Sequence, residues 1–167
     1  MTAAYVILIL VVVQRLGELV LVRRNTALLR AGGWREVGAA HYPLIVGFHV
    51  LWLLGLFLLA PQAQVIWWLI GVFVILQALR LWVLATLGAR WTTRIMVKPG
   101  EVLVARGPYR FLSHPNYTVV AAEIFVLPLA LGFPIYALAG GLINLAILAL
   151  RISVEGRALR LNGRLQS

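Results

Sequence analysis

The residue types able to do chemistry fall in two short segments. The first lies within 91–117 and holds Arg94, Glu101, Tyr109, His114, Asn116 and Tyr117. The second is the pair Arg151 and Glu155, four apart and so on one face of a helix. Together they offer peptide amides and carbonyls, aromatic rings, one imidazole and a carboxylate. That donor set suits an organic cation or a nucleotide-like cofactor better than a bare metal. His41 and His49 have no third ligand nearby, and the chain has no cysteine or aspartate, so no metal is expected. The two histidines read as hydrogen-bonded structural groups or as lining near the mouth of a site. A competing reading of 88–116 is an interfacial loop that snorkels its arginines into anionic headgroups.

The elements around these segments must bring them together. Residues 97–104, Val-Lys-Pro-Gly-Glu-Val-Leu-Val, predict an extended piece with a turn at Pro99 and Gly100. Gly107 and Pro108 predict a second turn, and Pro115 after His114 predicts the first turn of a helix. The flanking sequence is apolar in five stretches, 5–22, 44–60, 65–87, 117–131 and 135–150. A spanning helix needs about 17–25 residues, which the first three meet. The last two are shorter and are separated by Gly132, Phe133 and Pro134, which predicts a tight helical hairpin rather than one kinked span.

Composition agrees. The chain of 167 residues is 62% apolar and 12% charged, whereas soluble domains run at roughly 45–50% and 25%. A soluble domain, a disordered tail and a coiled coil are excluded. The expected fold is all-α, a single polytopic membrane bundle over 1–167 with five transmembrane helices and a cytoplasmic cofactor pocket. The formal charge of +10 is sorted: thirteen of fifteen cations fall in 23–35, 90–110 and 151–164, and none in 61–64 or 132–134. The positive-inside rule then predicts an external N-terminus and a cytoplasmic C-terminus. Tyr5, Trp67, Trp68 and Tyr136 would form the outer aromatic belt. The basic excess therefore implies no nucleic-acid partner. The first apolar segment lacks a basic n-region and a small-residue cleavage site, so it is expected to be retained.

Inside the apolar stretches lie Arg15, Glu18, Arg80, Glu123 and Asn144. Ionisable groups at membrane depth are costly and functional candidates by default. The four charges sum to zero, so the two arginines and two glutamates also read as interhelical ties. Glu123, two helical turns beyond His114 and Tyr117, stays open between a tie and a catalytic role.

The run Gly107-Pro-Tyr-Arg-Phe-Leu-Ser-His-Pro-Asn-Tyr117, with Arg151-Ile-Ser-Val-Glu155-Gly-Arg-Ala-Leu159 after a hairpin, resembles the isoprenylcysteine carboxyl methyltransferase family over roughly 65–160. Gln14-Arg-Leu-Gly-Glu18, Arg23-Arg-Asn25 and His41-Tyr42 are similar to a bacterial branch associated with O-methylation of alkylpyrone or alkylresorcinol lipids. The resemblance implies a membrane-embedded methyltransferase using S-adenosylmethionine, expected in a bacterial inner membrane, with a lipophilic or lipidated acceptor entering from the bilayer. It places cofactor contacts at Arg94, Glu101, Val102, Leu103, Val104, Tyr109, His114, Pro115, Asn116, Tyr117 and Glu155, and puts Arg151 against the acceptor. Arg94 matches in place rather than in type. Ser113 stands where an Arg commonly precedes His-Pro, and the aromatic-rich tail of eukaryotic members is missing, which departs from prenylcysteine as substrate.

An acceptor already ionised at neutral pH needs no base, and Arg151 can hold it by paired hydrogen bonds. A phenolic acceptor, with pKa near 10, would need His114 or Glu123 as base. Two other readings compete: a membrane NADPH-dependent reductase of the sterol type, disfavoured by the short C-terminal segment, and a non-enzymatic scaffold binding anionic lipid.

Overall fold

A computed structural model describes residues 2–101 and 104–164. Five α-helices dominate: α1 (Thr2–Ala31), α2 (Tyr42–Leu59), α3 (Trp67–Leu87), α4 (Pro115–Ala130) and α5 (Pro134–Arg164). Two three-residue strands, β1 (Arg35–Val37) and β2 (Ile95–Val97), pair antiparallel with Glu36 opposite Met96. Of the segment 97–104 expected to be extended, only Val97 lies in β2, the turn at Pro99 and Gly100 forms, and the strand's partner comes from the α1–α2 connection.

Four helices are long and apolar enough to cross a membrane, while α4, with 16 residues, is shorter. At 1.5 Å per residue α4 reaches only about 24 Å against a hydrocarbon core of about 30 Å. Outward-facing Leu10, Val20, Leu51, Leu58, Trp68 and Ile135 are exposed, as lipid contact requires. The molecule is an integral-membrane helix bundle.

The chain reversals have local causes. Gly132 adopts φ +86° after α4; Phe133 N–H donates to Pro128 O (2.9 Å) and Gly132 N–H to Leu129 O (3.0 Å). This Schellman pattern satisfies the last carbonyls of α4, and Pro134 then opens α5, so the hairpin forms. The same pattern ends α1, with Gly33 at φ +84° and Trp34 N–H donating to Leu29 O (3.0 Å). Hence α1 runs beyond the apolar stretch to Ala31, and α5 carries Arg151 and Glu155 on one continuous helix.

At one end Gln64 N–H bonds Leu131 O (3.1 Å) and Ile66 N–H bonds Ala130 O (2.8 Å), so the two uncharged connections lie side by side. Ala4, Leu8, Trp52, Leu56, Phe73 and Leu127 form the core beneath them. The β ribbon and Trp91, which packs with Val22 and Val83, mark the opposite, basic end.

Between the ends, a polar network ties three helices. Arg80 Nε donates to Glu123 Oε1 (2.8 Å) and its Nη1 to Glu18 Oε2 (3.0 Å), while Arg15 bonds Glu18 (2.9 Å) and Glu123 (2.7 Å). Gln77 donates to Glu123 (3.0 Å), and Gln14 reaches both Gln77 (2.7 Å) and Glu18 (3.1 Å). Formal charge cancels, and burial leaves Glu123 and Arg80 at 2% and 3% exposure.

Candidate functional site

The site is built at the basic end from the first turns of α4, the second half of α5 and the strap, residues 91–94, that leads into β2. His114 caps α4 and Pro115 occupies its first turn, where a missing N–H costs nothing. The His114 and Tyr117 rings stack nearly parallel, with centroids 5.2 Å apart and planes 15° from coplanar. Tyr117 Oη donates to Glu155 Oε2 (2.6 Å) and accepts from Arg151 Nε (2.7 Å). The guanidinium also lies 5.2 Å from the Tyr117 ring centroid. One phenol thus joins a cation and a carboxylate one helical turn apart on α5.

The other side of Arg151 is fixed by the strap. Its Nη2 donates to Thr93 O at 2.5 Å. The strap is itself held by α1: Asn25 Nδ2 donates to Trp91 O (2.7 Å), and the Thr26 and Thr92 hydroxyls bond at 3.0 Å. Trp91 is buried at 1% exposure, which anchors the segment against α1 and α3. Tyr109 packs on the same cluster. Burial, reinforced by the nearby Glu155 charge, pushes the Tyr109 phenol up to about 12, so it remains a hydrogen-bond donor at neutral pH.

The expected residues divide into groups. His114, Pro115, Tyr117, Arg151 and Glu155 come together, with Asn116 half-buried in the same turn. Tyr109 stands within electrostatic reach of Glu155. Glu101 ion-pairs with Arg90 beyond the ribbon, and Val104 is half-buried after it. Val102 and Leu103 lie outside the described residues.

Arg94 is held by other elements, although it lines one cleft with Arg151. It ion-pairs with Glu36, and its guanidinium covers the Tyr42 ring at 4.2 Å. These partners lie on β1 and at the start of α2. Glu123 engages Arg80, Arg15 and Gln77, six residues along α4 from Tyr117. With both carboxylate oxygens bonded to donors, it is placed in the helix-tying network and not beside His114.

Several contributors are visible only in three dimensions: the Thr93 carbonyl, Glu36, and the Asn25–Thr26 clasp. Burial opposes ionisation of Glu36, but hydrogen bonds and charge from Arg94 and Arg30 outweigh it and hold the carboxyl below its usual 4.5. Trp34-Arg-Glu-Val37 after a Gly-Gly pair was the available signal for β1. Three residues are too few to announce a strand.

Among the described residues, no group of three or more His, Cys, Asp or Glu could hold a metal. The chemistry on offer is aromatic stacking, one carboxylate and an anchored guanidinium.

Comparison with known proteins places the chain in a family. The isoprenylcysteine carboxyl methyltransferase family matches residues 68–161, which contain α4, α5 up to its last three residues, and His114, Tyr117, Arg151 and Glu155. An uncharacterized protein of Bacillus subtilis (strain 168), YpbQ, is 36% identical over 161 residues, covering 93% of this chain and 96% of the relative. No solved structure matches the chain. With an anchored Arg–Tyr–Glu group inside the matched segment of a membrane helix bundle, the chain belongs to the isoprenylcysteine carboxyl methyltransferase family, a family of integral-membrane methyltransferases.

Proposed function

We propose that the protein transfers a methyl group from S-adenosylmethionine to an oxygen of a lipophilic acceptor. The observation that carries this reading is the Arg151–Tyr117–Glu155 group with His114 stacked on Tyr117.

The residues fit the cofactor's chemistry. Aromatic faces attract a sulfonium through their quadrupole, and stacked His114 and Tyr117 with nearby Tyr109 supply them. Glu155 adds a carboxylate with spare acceptor capacity for a hydroxyl or ammonium group. When bound, S-adenosylmethionine supplies an electrophilic methyl and departs as a neutral thioether. The protein's part is placement, and holding reactants in line can contribute several kcal/mol, up to about 7–11 in well-oriented systems.

Arg151 binds the acceptor's oxygen as an anion. Its Nε and Nη2 are tethered by Tyr117 and Thr93, so the guanidinium plane is set before the acceptor arrives. An acceptor ionised at neutral pH, a carboxylate or an acidic enol such as an alkylpyrone, needs no base. With Glu123 engaged by two arginines, a phenolic acceptor would have to rely on His114. The basic end faces the cytoplasm in this reading, in a bacterial inner membrane, and the N-terminus faces out.

The test is to incubate the purified protein with labelled S-adenosylmethionine and a lipid extract of the host, then identify the methylated lipid by mass spectrometry. Label should appear in one lipid class and vanish with Arg151→Ala and with Glu155→Ala, both still folded. Full transfer by both variants would sink the assignment.

A further inference from the structure

The guanidinium plane of Arg151 is set by two acceptors on different elements, Tyr117 Oη on α4 and the Thr93 carbonyl in the strap 91–94. The first is firm because Tyr117 stands on a helix. The second is not firm by itself, since Thr92, Thr93 and Arg94 belong to no helix or strand. A carbonyl on such a segment keeps its direction only when other groups fix its peptide unit. We propose that Asn25 and Thr26 of α1 supply that fixation and act, through the strap, as positioning residues for Arg151. The proposal deepens the methyltransferase reading and rests on it for the reaction that Arg151 serves.

The hydrogen bonds run in sequence from α1 to Arg151. Asn25 gives one amide proton to Gly88 O (3.2 Å) and the other to Trp91 O (2.7 Å). One side chain thus closes the turn after α3 and pins the first residue of the strap, whose own N–H also donates to Gly88 O (3.0 Å). The hydroxyl of Thr26, the next residue on α1, bonds that of Thr92 at 3.0 Å. Thr92 Oγ1 in turn accepts from Arg94 N–H (3.2 Å). That N–H and the Thr93 carbonyl belong to one planar peptide unit. Its N–H end is held from α1, which aims its C=O end at Arg151. Beyond it, Ile95 opens β2 and pairs with Val37, fixing the far end of the strap.

Burial separates this chain of bonds from a loose surface contact. Asn25 is 3% exposed and Thr26 6%, and Val22, one turn earlier on α1, packs with Trp91. Apolar side chains would fill the same space without the cost of burying polar atoms. Here those atoms are bonded to the strap. Without the clasp Arg151 would be tethered firmly at Nε alone, and misplacing a positioning group by about 1 Å can cost about 100-fold in rate. The N-terminal pattern Arg23-Arg-Asn25 thereby acquires a physical role at its last residue.

The test uses the purified full chain in phosphatidylcholine vesicles and three variants. Asn25→Ala removes both amide bonds. Thr26→Val keeps the shape and loses the hydroxyl, and Thr26→Ser does the reverse. Phenylglyoxal, an arginine reagent, reports the tether directly, with modification of Arg151 read by mass spectrometry. Arg151 should react about fivefold faster in Asn25→Ala and Thr26→Val than in the parent, and at the parent's rate in Thr26→Ser. With labelled S-adenosylmethionine and the host lipid extract, kcat should fall by at least about tenfold in the first two variants. KM for S-adenosylmethionine should stay within about twofold, and Thr26→Ser should keep about half or more of the parent's kcat. If Asn25→Ala fails to fold, the Thr26 pair decides. Arg151 reactivity unchanged in the folded variants that lose the bonds overturns the proposal, as does faster modification with no loss of transfer. Impairment by Thr26→Ser beside a parent-like Thr26→Val assigns Thr26 to packing and also overturns it. Faster Arg151 modification in variants of a parent that S-adenosylhomocysteine does not stabilise, and that transfers no label, would overturn the methyltransferase reading and leave the clasp standing.

Discussion

Tyr117 is the residue through which the proposed site is coupled. It accepts from Arg151, donates to Glu155 and stacks on His114, three roles for one side chain. Tyr117→Phe keeps the stack and removes both hydrogen bonds. Bonds to charged groups contribute about 1.5–3 kcal/mol each, so kcat for methyl transfer should fall by at least about tenfold. A labelled-methyl assay with the variant beside its parent measures this. Glu36 gives a second, independent handle. Its pKa is lowered by folding, so its contribution to stability is present above the ordinary 4.5 and lost as pH falls through the lower folded value. The Tm advantage of the parent over Glu36→Gln should be constant from pH 8 to 6 and shrink below about pH 4.5. An advantage undiminished between pH 6 and pH 3 would contradict the Arg94–Glu36–Arg30 geometry.

At the scale of elements, the α4–α5 hairpin rests on one glycine. At Gly132 φ is +86°, and an added Cβ would approach Gln64 O at 3.1 Å. Gly132→Ala should cost about 1–3 kcal/mol through left-handed strain, and should lower Tm by at least about 2 °C. The neighbouring helices pack just as closely: a Cβ on Gly141 would fall 2.0 Å from the Phe125 ring. The helix-tying network makes a further prediction. Removing one carboxylate from a buried ion network leaves cations unpaired and costs about 3–5 kcal/mol. Glu123→Ala should therefore unfold at much lower temperature. The milder Glu123→Gln should lower Tm without changing the shape of the pH–rate profile. A lost basic limb in that profile would restore Glu123 to the chemistry.

For the whole molecule, the distribution of charge fixes an expectation about sidedness. The native chain has no cysteine, so single cysteines report cleanly. Gln62→Cys should react with a membrane-impermeant maleimide added to intact cells. Lys98→Cys should react only after permeabilisation. The opposite pattern would invert the orientation and put the proposed cofactor site outside.

Membrane character, the hairpin break and the list of chemical residues were legible in the sequence because each depends on local properties. Hydropathy is a sum over neighbours, Gly132-Phe-Pro134 is a local stop, and Arg151 and Glu155 share a face by helical period alone. The pairing of Arg15 and Arg80 with Glu18 and Glu123 was half legible: charge neutrality at membrane depth demands partners but does not say which. Tertiary structure decided what depends on distant segments meeting. It set Tyr117 between Arg151 and Glu155, drew Thr93 onto Arg151 through a strap clasped by Asn25 and Thr26, and paired β1 with β2. It also engaged Arg94 with Glu36 and Tyr42. Periodicity fixes which face of a helix a residue occupies, but helix packing and loop closure decide what that face meets.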